Sequence, residues 1–171
     1  MGLVHIYCGD GKGKTSAAIG LAVRAAGRGK QVVFARFLKT EDSGEVPGLG
    51  TLPGITVLPC EKSFGFVSAM DEQTRREAAV YNRSLLERAV TEVRGKDVLV
   101  LDELLVAVSY GFIPEERVLV LLSENRERLE IVMTGRRAPE ALLSEADYVS
   151  EIVKRAHPYD RGIRARMGIE Y

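Results

Sequence analysis

The sequence predicts an α/β fold with a mostly parallel central sheet flanked by helices. Three observations predict it. An apolar, partly β-branched run at residues 2–8 is followed at once by a glycine-rich turn and an Ala-rich helical run. A second apolar run at residues 31–38 closes a strand–helix–strand unit, and such a unit joins parallel strands. Further apolar runs at 98–101 and 129–133 follow helix-like stretches, as in an alternating α/β chain.

Size and composition bound the answer. A chain of 171 residues, 46% hydrophobic and 28% charged, is expected to fold as one domain over residues 1–171 with a real core. Lys+Arg and Asp+Glu both number 24, so nothing favours a nucleic-acid partner held by bulk charge. No apolar run approaches the ~20 residues of a membrane span, and the start lacks the plan of a signal peptide. The expectation is therefore a cytoplasmic protein with no membrane partner. Two cysteines, Cys8 and Cys60, are too few for a zinc site or a disulfide framework.

The elements follow in order. Residues 2–8 read as a central strand. Residues 15–27 read as a helix that is apolar nearly all round, and so as one covered on several sides. Residues 31–38 read as the second strand. Residues 40–54 hold six Gly and Pro residues and read as irregular loop. Residues 55–58 are a short strand. In the loop 60–69, Phe64-Gly65-Phe66 reads more readily as core plugs than as ligand contacts. Asp71 caps a long helix reaching about Arg94, with a charged outer face. A buried strand over 97–102 ends in Asp102-Glu103. A helix over 114–128, a strand over 130–134, a short helix over 139–145 and a strand over 148–153 complete the pattern. The tail from His157 has no assignable pattern. His5, inside a strand, reads as a packed residue rather than a base.

The glycine-rich turn carries the chemistry. Gly9-Asp10-Gly11-Lys12-Gly13-Lys14-Thr15 sits between strand and helix, the context of a phosphate cradle. Glycines let backbone N–H groups turn inward, and the helix start adds its own N–H groups and positive dipole end. Lys14 offers a cation to a phosphate, and the Thr15 hydroxyl a ligand to Mg²⁺. Against the pattern G-x-x-x-x-G-K-[ST], Gly13-Lys14-Thr15 fits but the first glycine position holds Cys8. The loop is thus a departure from the standard form on a P-loop NTPase-like fold. Asp102-Glu103, ending an apolar strand, has the form of the Mg²⁺-side partner, with helix capping by Asp102 as the competing role. If all strands are parallel, residues 9–15, Lys39, Asp102-Glu103 and Arg136 share one rim. No nucleophile–base pair is evident, so an enzyme built this way would take its nucleophile from the substrate.

Taken together, these motifs resemble the P-loop ATP:corrinoid adenosyltransferases, the family that acts on cob(I)alamin and cob(I)yrinic acid a,c-diamide. The matching stretches are Gly9 to Ala18 with Gly20 and Arg24, Phe37-Leu38-Lys39, Gly65-Phe66, Leu101-Asp102-Glu103-Leu104, Tyr110-Gly111, Thr134-Gly135-Arg136, Ala146-Asp147 with Glu151, His157, and Met167-Gly168-Ile169-Glu170-Tyr171. The resemblance implies transfer of the 5′-deoxyadenosyl group of ATP to Co(I) of a reduced corrinoid, with release of triphosphate, in adenosylcobalamin synthesis or salvage. It implies ATP lying in reverse along the loop, so that C5′ faces the cobalt. It implies nucleotide contacts from Gly9, Asp10, Gly11, Lys12, Gly13, Lys14, Thr15 and Ser16, with Lys14 and Lys12 neutralising the leaving group. Mg²⁺ or Mn²⁺ would be held by Thr15, Glu103 and Asp102, and Phe66 would sit against the corrin. A cobalamin- or cobinamide-type corrinoid, a reductase supplying the electron for Co(I), and a homodimer are the implied partners. Arg24 lies nine residues beyond Thr15, ~13 Å along a helix, too far for ready contact with phosphate.

Two positions depart from the family. Gly65-Phe66 is followed by Val67-Ser68 where the family commonly has Thr-Trp, and the chain has no Trp. The apolar wall of the corrin loop is then incomplete or supplied elsewhere, with Phe64 as candidate. Arg36 stands where many relatives have Gln. The rival functions are another P-loop kinase or hydrolase, and a non-catalytic corrinoid- or nucleotide-binding homologue.

Overall fold

In the computed structural model, which describes residues 2–170, six strands form one sheet. They are β1 (Val4–Cys8), β2 (Val32–Arg36), β3 (Ile55–Val57), β4 (Val98–Asp102), β5 (Glu130–Thr134) and β6 (Tyr148–Glu151). Their spatial order is β3-β2-β4-β5-β1-β6, and every neighbouring pair is parallel. Helices α1 (Lys14–Ala26), α2 (Glu45–Gly50), α3 (Glu72–Glu92), α4 (Leu104–Ser109), α5 (Glu115–Asn125) and α6 (Glu140–Ser144) connect them. The expected mostly parallel α/β sheet is what forms.

Strand alternation builds two cores. Val4, Ile6, Val33, Ala35, Leu99, Leu101, Ile131 and Met133 point to one face, where they pack with α3, α4 and α5. Val32, Phe34, Val98, Val100 and Val132 point to the other, against Ala18 and Ala22 of α1. β2 and β4 are buried at all five positions, which explains their unbroken apolar runs. One further step along the α1 face brings Arg36 into register with Asp102, at the carboxyl ends of β2 and β4. Polar groups thus begin where the apolar core stops, and that edge is where the phosphate loop lies.

Several expectations change. Only Ala18 and Ala22 of α1 are buried, while Ala17, Gly20 and Val23 face outward. The helix is covered on one side; its alanines serve helix propensity as much as packing. The segment read as irregular loop contains α2. Pro47 falls in its first turn, where a missing N–H is tolerated, and Leu49 is buried against the β3 side of the core. Asp71 does cap α3, accepting from Thr74 N at 2.7 Å. His5 is buried, shares a 2.6 Å hydrogen bond with Glu130 and stacks on Tyr148, as expected of a packed residue. The tail from His157 forms a 3₁₀ turn at Pro158–Arg161 and a further turn over 167–170. Tyr171 of the C-terminal motif lies outside the described residues.

Candidate active site

A cavity of about 630 Å³ opens at the carboxyl edge of the sheet. Its lining includes the phosphate loop from Gly11 to Ser16 and, from a separate stretch of chain, Phe64, Gly65, Phe66, Met70 and Tyr81. Glu103 and Lys39 line it from β4 and β2, and Gly168 to Glu170 approach from the C-terminal segment. The lining therefore combines cationic, donor-rich residues with aromatic ones.

The loop's shape explains its unusual glycines. Gly9 has φ +105, and a Cβ there would stand 2.4 Å from Ile152 O. A Cβ on Gly11 would stand 2.7 Å from the same oxygen. The segment after β6 presses on the loop from outside, so both positions exclude a side chain. The close approach also occupies two amides. Gly9 N donates to Arg136 O at 2.9 Å and Gly11 N to Ile152 O at 2.7 Å. The Gly9 and Gly11 amides are thus not among the N–H groups that can turn inward. The cradle is left to the amides after Gly11 and to the first turn of α1, whose N–H groups lack intrahelical partners.

The expected ligands divide. Gly11, Lys12, Gly13, Lys14, Thr15, Ser16, Phe66 and Glu103 line the cavity. Gly9 and Asp10 do not: Gly9 anchors the loop, and the Asp10 carboxylate accepts from Lys154 N at 2.9 Å on the outer side. That hydrogen bond also holds the Asp10 carboxyl below its ordinary pKa. Lys14 Nζ donates to Gly11 O at 2.7 Å, folded back on its own loop. Arg136 is absent from the cavity lining; its carbonyl, not its guanidinium, serves the loop.

Asp102 is fully buried behind the lining. Its Oδ1 accepts from Thr15 Oγ1 at 2.9 Å and Thr134 Oγ1 at 2.7 Å. Its Oδ2 accepts no well-aligned hydrogen bond, although Lys39 Nζ lies 2.6 Å away. The helix-capping role is not taken: Glu103 occupies the N-cap position of α4, and neither acid caps it through its side chain. Glu103 adopts φ +61, a left-handed conformation that is strained for a residue with a Cβ. Burial, then the neighbouring Asp102 charge, raise the Glu103 pKa, against the pull of Lys39, Lys14 and Arg136. Thr15 hydroxyl, Asp102 and Glu103 are hard oxygen donors. Among the described residues no cluster of three metal-ligating His, Cys, Asp or Glu side chains exists. The set suits Mg²⁺, which completes its shell with phosphate and water rather than an all-protein cage, and the under-used Asp102 oxygen fits a cation at this place.

The aromatic wall also resolves. Phe64 packs on the core beside Tyr81, ring centroids 5.6 Å apart, as a plug should. Phe66 does not: it is 86% exposed. The core-plug reading fails for it because Gly65, at φ +71, turns the chain outward between the two rings. Lys39 and Glu45 are site residues that the motif spacing did not pick out. The strand pattern puts Lys39 on the rim without giving it a partner, and the Gly/Pro content around Glu45 hides the helix that carries it.

A family model described as ATP:corrinoid adenosyltransferase BtuR/CobO/CobP matches residues 1–171. The chain belongs to the ATP:corrinoid adenosyltransferase family. It is 34% identical over 173 residues to a corrinoid adenosyltransferase of Escherichia coli (strain K12), covering 99% of this chain and 86% of that protein. It is 34% identical over 172 residues to the corrinoid adenosyltransferase CobA of Salmonella typhimurium, with the same coverage. A corrinoid adenosyltransferase of Pseudomonas aeruginosa is 29% identical over 175 residues, covering 99% of this chain and 84% of that protein. Membership makes the chain an ATP-using transferase with a corrinoid substrate. No helix among the described residues is long and apolar enough to cross a membrane.

Proposed function

We propose that residues 1–171 act as one P-loop domain that moves the 5′-deoxyadenosyl group of ATP onto Co(I) of a cobalamin- or cobinamide-type corrinoid. The cobalt electron pair forms the Co–C5′ bond. The C5′–O5′ bond breaks, and its pair leaves on the triphosphate, so no base is required. The observation that carries this is one cavity of about 630 Å³ lined both by the phosphate loop and by the exposed aromatic Phe66.

Each residue then has a task. Lys14 and Lys12, with the amides from residues 12–16, neutralise and hold the triphosphate as charge builds on it. Lys14 must leave Gly11 O to do so. Gly9 and Asp10 shape the loop from behind. Thr15, Glu103 and Asp102 would hold Mg²⁺ or Mn²⁺, which supplies Lewis-acid neutralisation of the leaving phosphates. Phe66 packs on the corrin, with Phe64 and Tyr81 behind it as the apolar wall that Ser68 cannot supply. Holding cobalt and C5′ in line is the main positioning task. The protein would work in the cytoplasm as a homodimer beside a reductase that delivers the electron.

Incubation with Mg·ATP and reduced cobalamin should give a light-sensitive Co–C product and intact triphosphate. ADP and phosphate without an organocobalt product would instead favour a γ-phosphate enzyme. Tight corrinoid binding with no product at all would favour a non-catalytic homologue.

A further inference from the structure

The Lys39 ammonium occupies the place assigned above to a metal. Its Nζ lies 2.6 Å from Asp102 Oδ2, 3.3 Å from Glu45 Oε1 and 3.3 Å from Thr15 Oγ1. Asp102 Oδ1 is already used by two hydroxyls, so Oδ2 is the one oxygen of that buried carboxylate with capacity to spare. The chain takes a strained path to put Lys39 there. Leu38 has φ +55, and among the described residues the only other non-glycine with positive φ is Glu103, directly after Asp102. One strained residue thus directly precedes the ammonium-bearing Lys39, and the other directly follows Asp102. A second cavity lysine, Lys14, is parked on Gly11 O. Lys39 and Lys14 are thus both docked on protein acceptors in the cavity wall.

We propose that Lys39 is a resident counter-cation that fills the Asp102–Thr15 seat until Mg·ATP arrives, then turns its ammonium to the triphosphate. A divalent ion and an ammonium compete for one carboxylate oxygen, because their charges repel at that range. The incoming nucleotide supplies the anion that draws Lys39 away. Metal therefore enters with ATP and not before it, and Lys39 becomes a further cation on the leaving group alongside Lys14. In the free protein the same contact keeps Asp102 from being a buried, uncompensated charge. This inference rests on the metal seat proposed above.

The test is Mn²⁺ binding followed by electron paramagnetic resonance, with and without ATP, on wild type, Lys39→Met and Lys39→Arg. Without ATP, wild type and Lys39→Arg should bind Mn²⁺ weakly, and Lys39→Met at least ~10-fold more tightly, since the competing cation is gone. With ATP, all three should bind it. Turnover of Lys39→Met should fall by roughly 10²-fold in kcat, the scale of one lost charge-stabilising donor, with Lys39→Arg partly restored. Lys39→Gln, whose amide can still donate to Asp102, carries the same expectation should the Met variant fail to fold. Equal Mn²⁺ affinity of the folded neutral variant and wild type without ATP overturns the inference and leaves the metal seat standing. No Mn²⁺ binding by wild type even with ATP overturns both.

Discussion

Replacing Glu103 by glycine should make the protein more stable and less active. Glu103 holds φ +61 and ψ +14 at the start of α4, and its side chain caps nothing. A residue with a Cβ in this region costs ~1–2 kcal/mol, and glycine removes that cost. The greater freedom of glycine in the unfolded chain returns ~0.5–1 kcal/mol of it. The net gain from the backbone is therefore ~0.5–1 kcal/mol, or ~1–4 °C in Tm for a chain of this length. The carboxylate adds to this with a definite pH dependence. Its folded pKa is raised above the ordinary 4.5 by burial and by Asp102. Between 4.5 and the raised value the folded state binds more protons than the unfolded one, so wild-type stability falls as pH rises through that window. The glycine variant lacks this loss. Its Tm advantage should be small at pH 4 and larger at pH 7, read by calorimetry at both. Adenosylation measured in parallel should drop by roughly 10²-fold or more, the scale of a lost electrostatic group. A lower Tm at pH 7 would show that Glu103 supports the fold, and unchanged turnover would remove it from the site.

Lys14→Ala should lower kcat by ~10²–10³-fold, because it removes a cation from the departing triphosphate; near-normal kcat in a Co–C bond assay would exclude that role. Phe66→Ala should shift Tm by no more than ~0.5 kcal/mol equivalent, since the ring is 86% exposed, yet weaken corrinoid binding in a fluorescence or absorbance titration. A large Tm loss with unchanged corrinoid affinity would return Phe66 to a packing role. Gly9→Ala should weaken ATP binding measured by calorimetry although residue 9 does not line the cavity, because a Cβ 2.4 Å from Ile152 O must displace the loop. Unaltered ATP affinity would show that the segment after β6 does not set the loop's shape.

β2, β4 and β5 were legible in the sequence because they are buried parallel strands with long apolar runs. Asp71 was legible because a cap needs only its own side chain and the next turn. α2 was not: Pro47 and three nearby glycines signal a loop, and Leu49 alone carries the burial that holds the helix in place. The one-sided cover of α1 was hidden because alanines on both faces look alike whether or not anything packs on them. In the site, the phosphate loop and Asp102-Glu103 announced themselves through local spacing. The roles of Gly9 and Asp10 did not, since both are set by Ile152 and Lys154, more than 140 residues away in the chain. Lys39 was legible as a rim residue, but its ion pairs with Asp102 and Glu45 were not. The ion pairs of Lys39 with Asp102 and Glu45 follow a left-handed turn at Leu38 that nothing in the sequence signals. Phe64 and Phe66 look equivalent until Gly65 turns one inward and the other out.

The central claim is that the loop grips a leaving triphosphate while ribose C5′ faces the corrin. A crystal structure with Mg·ATP and a corrinoid tests it most directly. The triphosphate should lie on residues 12–16 with Lys14 released from Gly11 O, and C5′ should point across the cavity toward cobalt held on Phe66. A γ-phosphate facing the Phe66 side, with C5′ turned away from the cobalt, would contradict it.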